Sequence, residues 1–301
     1  MKILIVGSFG IDSIETPFGK AENVVGGSAV YISLAASYFS PSRICGVVGG
    51  DFPKEILKLF KEKNIDTCGL EIIENENTFA WKGIYHNDFN TRDTVYTHLN
   101  VFENFSPKIP EAYKNSEIIC LGNIDPTLQL QVLEQIPNPK FVVCDTMNFW
   151  INGKLDEVKK VLTKINVLII NDLEAKELSK ENNLFLAAKK ILQFGPKILI
   201  IKKGENGAIL FNGENKFILP AFPIVNVSDP TGAGDCFFGG FVGWLSKTED
   251  FSDKNLRQAI IYANVLASFC VEDFSIRKIQ NLTIDEINFR YKEFISYVSL
   301  L

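Results

Sequence analysis

Short apolar runs that alternate with helix-patterned segments constrain this chain more than any other feature. Ile3–Val6, Arg43–Val48, Glu117–Leu121, Phe141–Cys144, Val167–Ile170 and Ile198–Ile201 read as buried strands bounded by Gly, Asp or Asn. Between them, Ala29–Phe39, Pro53–Lys63, Leu128–Gln135, Leu155–Lys164 and Asn183–Phe194 carry helix-compatible spacing. Alternation of this kind predicts an α/β fold with a mostly parallel central sheet flanked by helices on both faces. Further on, Gly207–Phe211 and Lys216–Leu219 predict a hairpin closed around Asn212-Gly213, and Ile284–Val298 an amphipathic helix.

One stretch breaks the rhythm. From Thr78 to Phe102 the pattern has period two, with Phe79, Trp81 and Tyr85 on one face and Val95, Thr97, Leu99 and Val101 on another; the polar segment His86–Asp93 reads as a turn. This predicts a small antiparallel β lid, formed by approximately 12–25 and 72–102 and inserted in the α/β core. A few strands cannot bury two faces alone. The aromatic face must therefore cover a ligand, pack inward, or meet a second copy as a homodimer through the lid.

The 301 residues suffice for one large α/β domain, and the absence of linkers, repeats and low-complexity tracts favours a single unit over 1–301. A net charge of −5 without a basic block argues against nucleic acid and anionic membrane as partners. No apolar run approaches the roughly 18 residues that span a bilayer, and Met1–Val6 is too short for a signal-peptide core. The six cysteines are scattered without a C-x-x-C pair; Cys45, Cys120 and Cys144 read as core residues, and a reduced, cytoplasmic setting is expected. With only two histidines, His86 and His98, acid–base chemistry falls to carboxylates.

The chemistry concentrates at Asp229-Pro230-Thr231-Gly232-Ala233-Gly234-Asp235, followed by the apolar run Cys236–Phe241. Small residues leading into a helix leave backbone N–H groups free, and these attract an anion. A carboxylate one residue further in can act as a base beside a bound phosphate. This segment resembles the C-terminal signature of the ribokinase-like, or PfkB, family of carbohydrate and nucleoside kinases. The resemblance implies Asp235 as catalytic base, the N–H groups of Gly232, Ala233 and Gly234 as an anion hole, and Asp229 at the ATP site.

Weaker motifs agree with it. Asn171-Asp172-Leu173-Glu174 resembles the family's Asn-x-x-Glu element, which implies that Asn171 and Glu174 hold Mg²⁺ and phosphate oxygens through water; the same spacing is a helix-capping arrangement. Lys202-Lys203-Gly204-Glu205-Asn206-Gly207 resembles the turn bordering the nucleotide, with Lys202, Gly204 and Gly207 as ATP-site candidates; as a bare pattern it more commonly means a hairpin turn, and an exposed lysine reads equally well. Ala263-Asn264 through Phe274 resembles the helix walling the adenine site, with Asn264 its polar candidate. Gly26-Gly27 resembles the paired-glycine motif of the acceptor site, and Asp12 the Asp that binds sugar hydroxyls, although Asp12 also suits a turn or cap. The family often has Asn shortly after the paired glycines, where this chain has Ser28, Ala29, Val30 and Tyr31. Asn123 and Asn148, each after a buried strand, are further acceptor candidates. A monovalent cation stays open, since Asp273-Phe274-Ser275 lacks the family's loop glycine.

The expected activity is phosphoryl transfer from ATP, with Mg²⁺, to an alcohol of a sugar or sugar-like acceptor. A nucleoside kinase and a non-catalytic ligand-binding relative are the alternatives within the family. A dinucleotide-binding oxidoreductase lacks support, because Gly7-Ser8-Phe9-Gly10 does not extend to G-x-G-x-x-G. A P-loop kinase is excluded, since no G-x-x-x-x-G-K-[ST] occurs.

Overall fold

The computed structural model describes residues 1–86 and 92–298. The first half of the chain comprises β1 (Ile3–Val6), β2 (Gly10–Thr16), β3 (Gly19–Gly26), α1 (Ser28–Ser37), β4 (Ser42–Gly49), α2 (Lys54–Glu62), β5 (Ile65–Ile73), β6 (Phe79–Tyr85) and β7 (Arg92–His98). Next come β8 (Ile118–Leu121), α3 (Pro126–Gln135), β9 (Phe141–Asp145), α4 (Asn148–Gly153), α5 (Leu155–Leu162), β10 (Val167–Asn171), α6 (Asp172–Ser179) and α7 (Leu184–Leu192). The chain closes with β11 (Ile198–Lys202), β12 (Ala208–Asn212), β13 (Asn215–Leu219), α8 (Ala233–Thr248), α9 (Asp253–Cys270) and α10 (Ile284–Val298).

A nine-stranded sheet has the order β13-β12-β11-β10-β9-β8-β1-β4-β5, parallel from β5 to β11 and antiparallel in the β12–β13 hairpin. Strand alternation sorts the side chains into two cores. Ile3, Ile5, Cys120, Val143, Ile169 and Ile200 face α1, α2, α8, α9 and α10. Leu4, Val6, Ile119, Cys144, Leu168 and Ile201 face α3 to α7 on the other side. A strand buried on both faces must read as an unbroken apolar run. That is why the six runs were visible in the sequence. Chain direction across the sheet reverses between β4 and β8 on either side of β1, and clefts form at the carboxyl ends of strands near such a reversal.

A separate four-stranded sheet has the order β3-β2-β6-β7. Its two hairpins are antiparallel as expected, but β2 and β6, which join them, run parallel. The turn expected over His86–Asp93 falls largely on residues 87–91, outside the described residues. The period-two pattern past His98 does not continue as strand. Residues 100–102 form a 3-10 turn, which buries Val101 and leaves Leu99 exposed. The strand β5 had no counterpart in the sequence reading, because its half-buried pattern shows neither continuous nor alternating hydrophobicity. Its last residues belong to the large sheet, so the second hairpin of the small sheet begins at Phe79, whereas a start near 72 was expected. Ile14, Ala21 and Tyr85 pack on Phe274, fixing the small sheet to the core.

Candidate active site

At the carboxyl end of the large sheet the loop 228–232 turns into α8. Gly232 is the N-cap, with φ of 78°. A side chain there would be strained in the left-handed region, and its Cβ would lie 2.4 Å from the Tyr31 ring. Only glycine satisfies both limits. Of the three amides expected to form an anion hole, one is engaged: the Ala233 N–H donates to the Pro230 carbonyl at 3.2 Å. The N–H groups of Gly232 and Gly234 have no backbone or side-chain acceptor among the described residues, and neither does that of Asp235. Thus the open amides sit at 232, 234 and 235.

Asp235 lies in the first turn of α8, where its negative charge suits the helix dipole. Burial, with Asp145 nearby, lifts its pKa to about 7, against the pull of Lys202 and Arg92. Lys202, at the end of β11, reaches Asp145 at 3.6 Å, and a Cβ on Gly234 would stand 2.9 Å from its Nζ. The expected Lys202 is therefore inside the site, beside the helix tip. Burial works against its charge, but Asp145, Glu174 and Asp235 together hold its pKa above the ordinary lysine value.

Asn171 and Glu174 form a full capping box at the start of α6. The Asn171 side chain accepts from the Glu174 N–H at 2.8 Å, and Glu174 Oε2 accepts from the Asn171 N–H at 2.7 Å. Both readings of that motif are compatible, because one Glu174 oxygen stays free of the cap. Burial and Asp145 raise the Glu174 pKa to about 7, with Lys202, the Asn171 N–H and Arg92 opposing. Acids pushed upward by one another form an environment that a divalent cation would relieve. Among the described residues no group of three His, Cys, Asp or Glu has metal-binding geometry. The Glu174 oxygen outside the cap, with Asp145 nearby, fits a hydrated Mg²⁺ that takes few protein ligands.

On the other side of the helix tip, Asp12 of β2 is buried against the paired glycines. A Cβ on Gly26 would fall 1.8 Å from its Oδ2, so the first glycine exists to admit the carboxylate. Gly27 caps α1 with φ of 97°. Burial, followed by Asp229 and Asp235, lifts the Asp12 pKa to about 7, and Arg92 lowers it. No hydrogen bond to its carboxylate exists among the described residues. Such a buried acceptor is ready for hydroxyl donors.

The other expected residues are engaged within the chain as follows. Asp229 is fully buried; its carboxylate accepts from the N–H groups of Thr231 at 2.8 Å and Ser275 at 3.3 Å, which shapes the loop. Asn264 accepts from Phe222 N–H and donates to the Pro220 carbonyl, holding the loop after β13. Its helix is α9, which ends at Cys270 and does not reach Phe274. Asn123 is spent on Trp150 and Met147, and Asn148 on the Phe149 N–H. Gly204 opens an exposed 3-10 turn, whereas Gly207 packs on the backbone at 219–221 and serves the hairpin.

Two residues of the cluster were missed. Asp145 ends the apolar run of β9, and its place at a strand's carboxyl end beside the reversal was an available signal. Arg92 begins β7 in the small sheet, inside a polar stretch that gave no signal at all.

The pattern of pfkB family carbohydrate kinases matches residues 3–281. A cytidine kinase of Thermococcus kodakarensis is 26% identical over 82% of this chain and 89% of its own. An aminoimidazole riboside kinase of Salmonella typhimurium is 32% identical over 90% of this chain and 89% of its own. Among solved structures, one assigned to ribokinase II of E. coli, in complex with ATP and Mg²⁺, superposes with a TM-score of 0.79 at 17% identity, covering 97% of this chain and 99% of that one. The chain belongs to the pfkB family of carbohydrate kinases.

Proposed function

We propose that this protein transfers the γ-phosphoryl group of Mg·ATP to a hydroxyl of a sugar or of a sugar-bearing molecule, with Asp235 as base. The observation that carries this reading is the juxtaposition at one helix tip: Asp235, the open amides of Gly232 and Gly234, and Lys202 beside them. Phosphoryl transfer asks a protein for positioning and charge stabilisation more than for covalent chemistry. The bond from phosphorus to the ADP oxygen breaks while one to the acceptor oxygen forms, and Asp235 takes the acceptor's proton. The open amides and Lys202 donate to the migrating group's oxygens. Mg²⁺ supplies neutralisation of phosphate charge, with Glu174 and Asn171 as the residues that would hold it through water. On the acceptor side, Asp12 is suited to accept from a pair of hydroxyls, and the small sheet acts as a lid that excludes water.

A nucleoside acceptor is the second reading. It has support in two relatives named as a cytidine kinase and an aminoimidazole riboside kinase, while others are named as a ribokinase and a phosphofructokinase. The test is a screen of the purified protein with Mg·ATP against free sugars, sugar phosphates, inositols and nucleosides, following ADP release. Turnover confined to nucleosides selects the second reading. Failure with every alcohol, together with retained binding, points to the non-catalytic alternative and overturns the first.

The edges of the small sheet support a further expectation of a homodimer. β3 and β7 each lack a partner strand on one side among the described residues, and Val95 of β7 and Leu99 just beyond it stand exposed. Open strand edges pair readily with another chain. Sedimentation velocity at micromolar protein should give a dimer; a monomer removes this part of the reading.

A further inference from the structure

Arg92 enters the site from the small sheet. Its Nη1 donates to Tyr85 Oη at 3.4 Å, and its guanidinium lies over the Trp81 ring, 5.4 Å from the centroid. The same Tyr85 oxygen accepts from Thr231 Oγ1 at 3.1 Å, and Thr231 immediately precedes the open amide of Gly232. A chain of contacts thus runs from Arg92 through Tyr85 to the anion hole. Two cations approach Asp235 from different structures, Lys202 from β11 of the large sheet and Arg92 from β7 of the small one.

The guanidinium is underused where it stands. Asp12, Asp235 and Glu174 all feel its charge, yet it closes no ion pair within 4.0 Å with any described residue. Apart from the long bond to Tyr85, its planar fork of N–H donors meets no acceptor among the described residues. An arginine held off three carboxylates, at the mouth of an anion hole, fits an anion placed between them. Of the anions in this reaction, the one that passes this point is the phosphoryl group in transit.

Building on the phosphotransfer reading above, we propose that Arg92 is a catalytic residue, contacting the equatorial oxygens of the migrating phosphoryl group opposite the Gly232 and Gly234 amides and Lys202. As the phosphorus leaves the ADP oxygen and bonds the acceptor oxygen, charge spreads over those oxygens. A donor fixed there strengthens in the transition state, and its removal lowers turnover more than ground-state binding. Because the arginine is borne by the small sheet, docking of that sheet and assembly of the charge clamp are one event.

The test uses full-length protein, wild type, Arg92→Lys and Arg92→Ala, with melting curves to confirm folding. With Mg·ATP and cytidine or D-ribose, Arg92→Ala should lower kcat on the order of 10²-fold, with KM for ATP and acceptor changing less than about threefold; Arg92→Lys should fall between, and free guanidinium should restore part of the loss. A rise in acceptor KM at unchanged kcat would overturn the proposal, since Arg92 would then read a group on the acceptor. Unchanged kinetics would overturn it as well. A second measurement does not need acceptor turnover. Titration with Mg·ADP and aluminium fluoride, against Mg·ADP alone, should show tighter binding of the phosphoryl mimic by wild type, and Arg92→Ala should abolish that advantage. If wild type phosphorylates neither acceptor but the titration behaves so, the acceptor reading fails while the role of Arg92 stands. An equal advantage in both proteins rejects that role.

Discussion

Asp12 and Asp235 both hold pKa values of about 7, and burial is the first cause in each. Two consequences follow, and they differ in sign. For activity, a base must be ionised, so kcat/KM should rise with pH and level off above a limb near neutrality. Asp235 is one of the charges that raise Asp12, and both acids ionise in this range, so the limb reports on both. A limb near pH 4 would remove the raised acid from the mechanism. For stability, each acid binds its proton more tightly folded than unfolded, where the ordinary value is 3.8. Their contribution is fully present below about pH 4 and is lost as pH rises through about 7. Asp235→Asn should therefore melt higher than wild type at pH 8, by on the order of 1–2 kcal/mol, with little gain at pH 4, while kcat falls at least about 10²-fold. Near-normal turnover would remove Asp235 as the base. Asp235 was legible because a local motif names it. Arg92 was not, since nothing local distinguishes it from a solvated arginine, and only the folding of one sheet over another gives it a task.

Helix α6 shows how one element can serve packing and chemistry with the same side chains. The capping box needs an acceptor at Glu174 but not a charge, because glutamine closes it equally well. Glu174→Gln should leave the melting temperature at pH 8 unchanged or raised, as a buried acid with a pKa of about 7 is removed. The Mg²⁺ concentration for half-maximal activity should rise about tenfold, the scale of outer-shell substitutions. Asn171→Ala should instead cost about 1 kcal/mol through loss of the cap. If Glu174→Gln leaves the Mg²⁺ dependence untouched, α6 is structural only. The sequence displayed the motif without separating these roles, since both require the same spacing. Other elements were legible according to how their burial is arranged. Strands covered on both faces appeared as apolar runs, and α10 was bounded as Ile284–Val298 from its periodicity. β5 lies at the edge of the sheet with one side wet, so it carried no period.

At the scale of the molecule, the two sheets differ in what holds them. Strands of the large sheet are sandwiched between two extensive cores. Among the described residues the small sheet rests on the cluster of Ile14, Ala21, Tyr85 and Phe274, on Val25 and Ile11 at the margin of the first core, on the Phe79–Phe102 ring contact, and on three polar ties: Thr16 to the Ser228 carbonyl, Tyr85 to Thr231, and Ser275 to the Val25 carbonyl. The parallel join between β2 and β6 was invisible in sequence, because pairing partners distant along the chain leave no local trace. Two of those ties end on the loop 228–231, which leads into the open amides at the start of α8. Docking of the small sheet and the geometry of the helix tip are therefore coupled through the same backbone. Elements with few buried contacts open at lower free energy than the core. Hydrogen exchange should find the amides of β2, β3, β6 and β7 opening well before those of β10 and β11. Tyr85→Phe removes the acceptor for both Thr231 and Arg92, at a cost of about 1 kcal/mol. It should speed exchange in the small sheet about fivefold while β10 and β11 stay unchanged, and Mg·ATP should restore less protection there than in wild type. Equal exchange in the two sheets, or a uniform effect of Tyr85→Phe on both, would mean that they open as one body and that the small sheet is no lid.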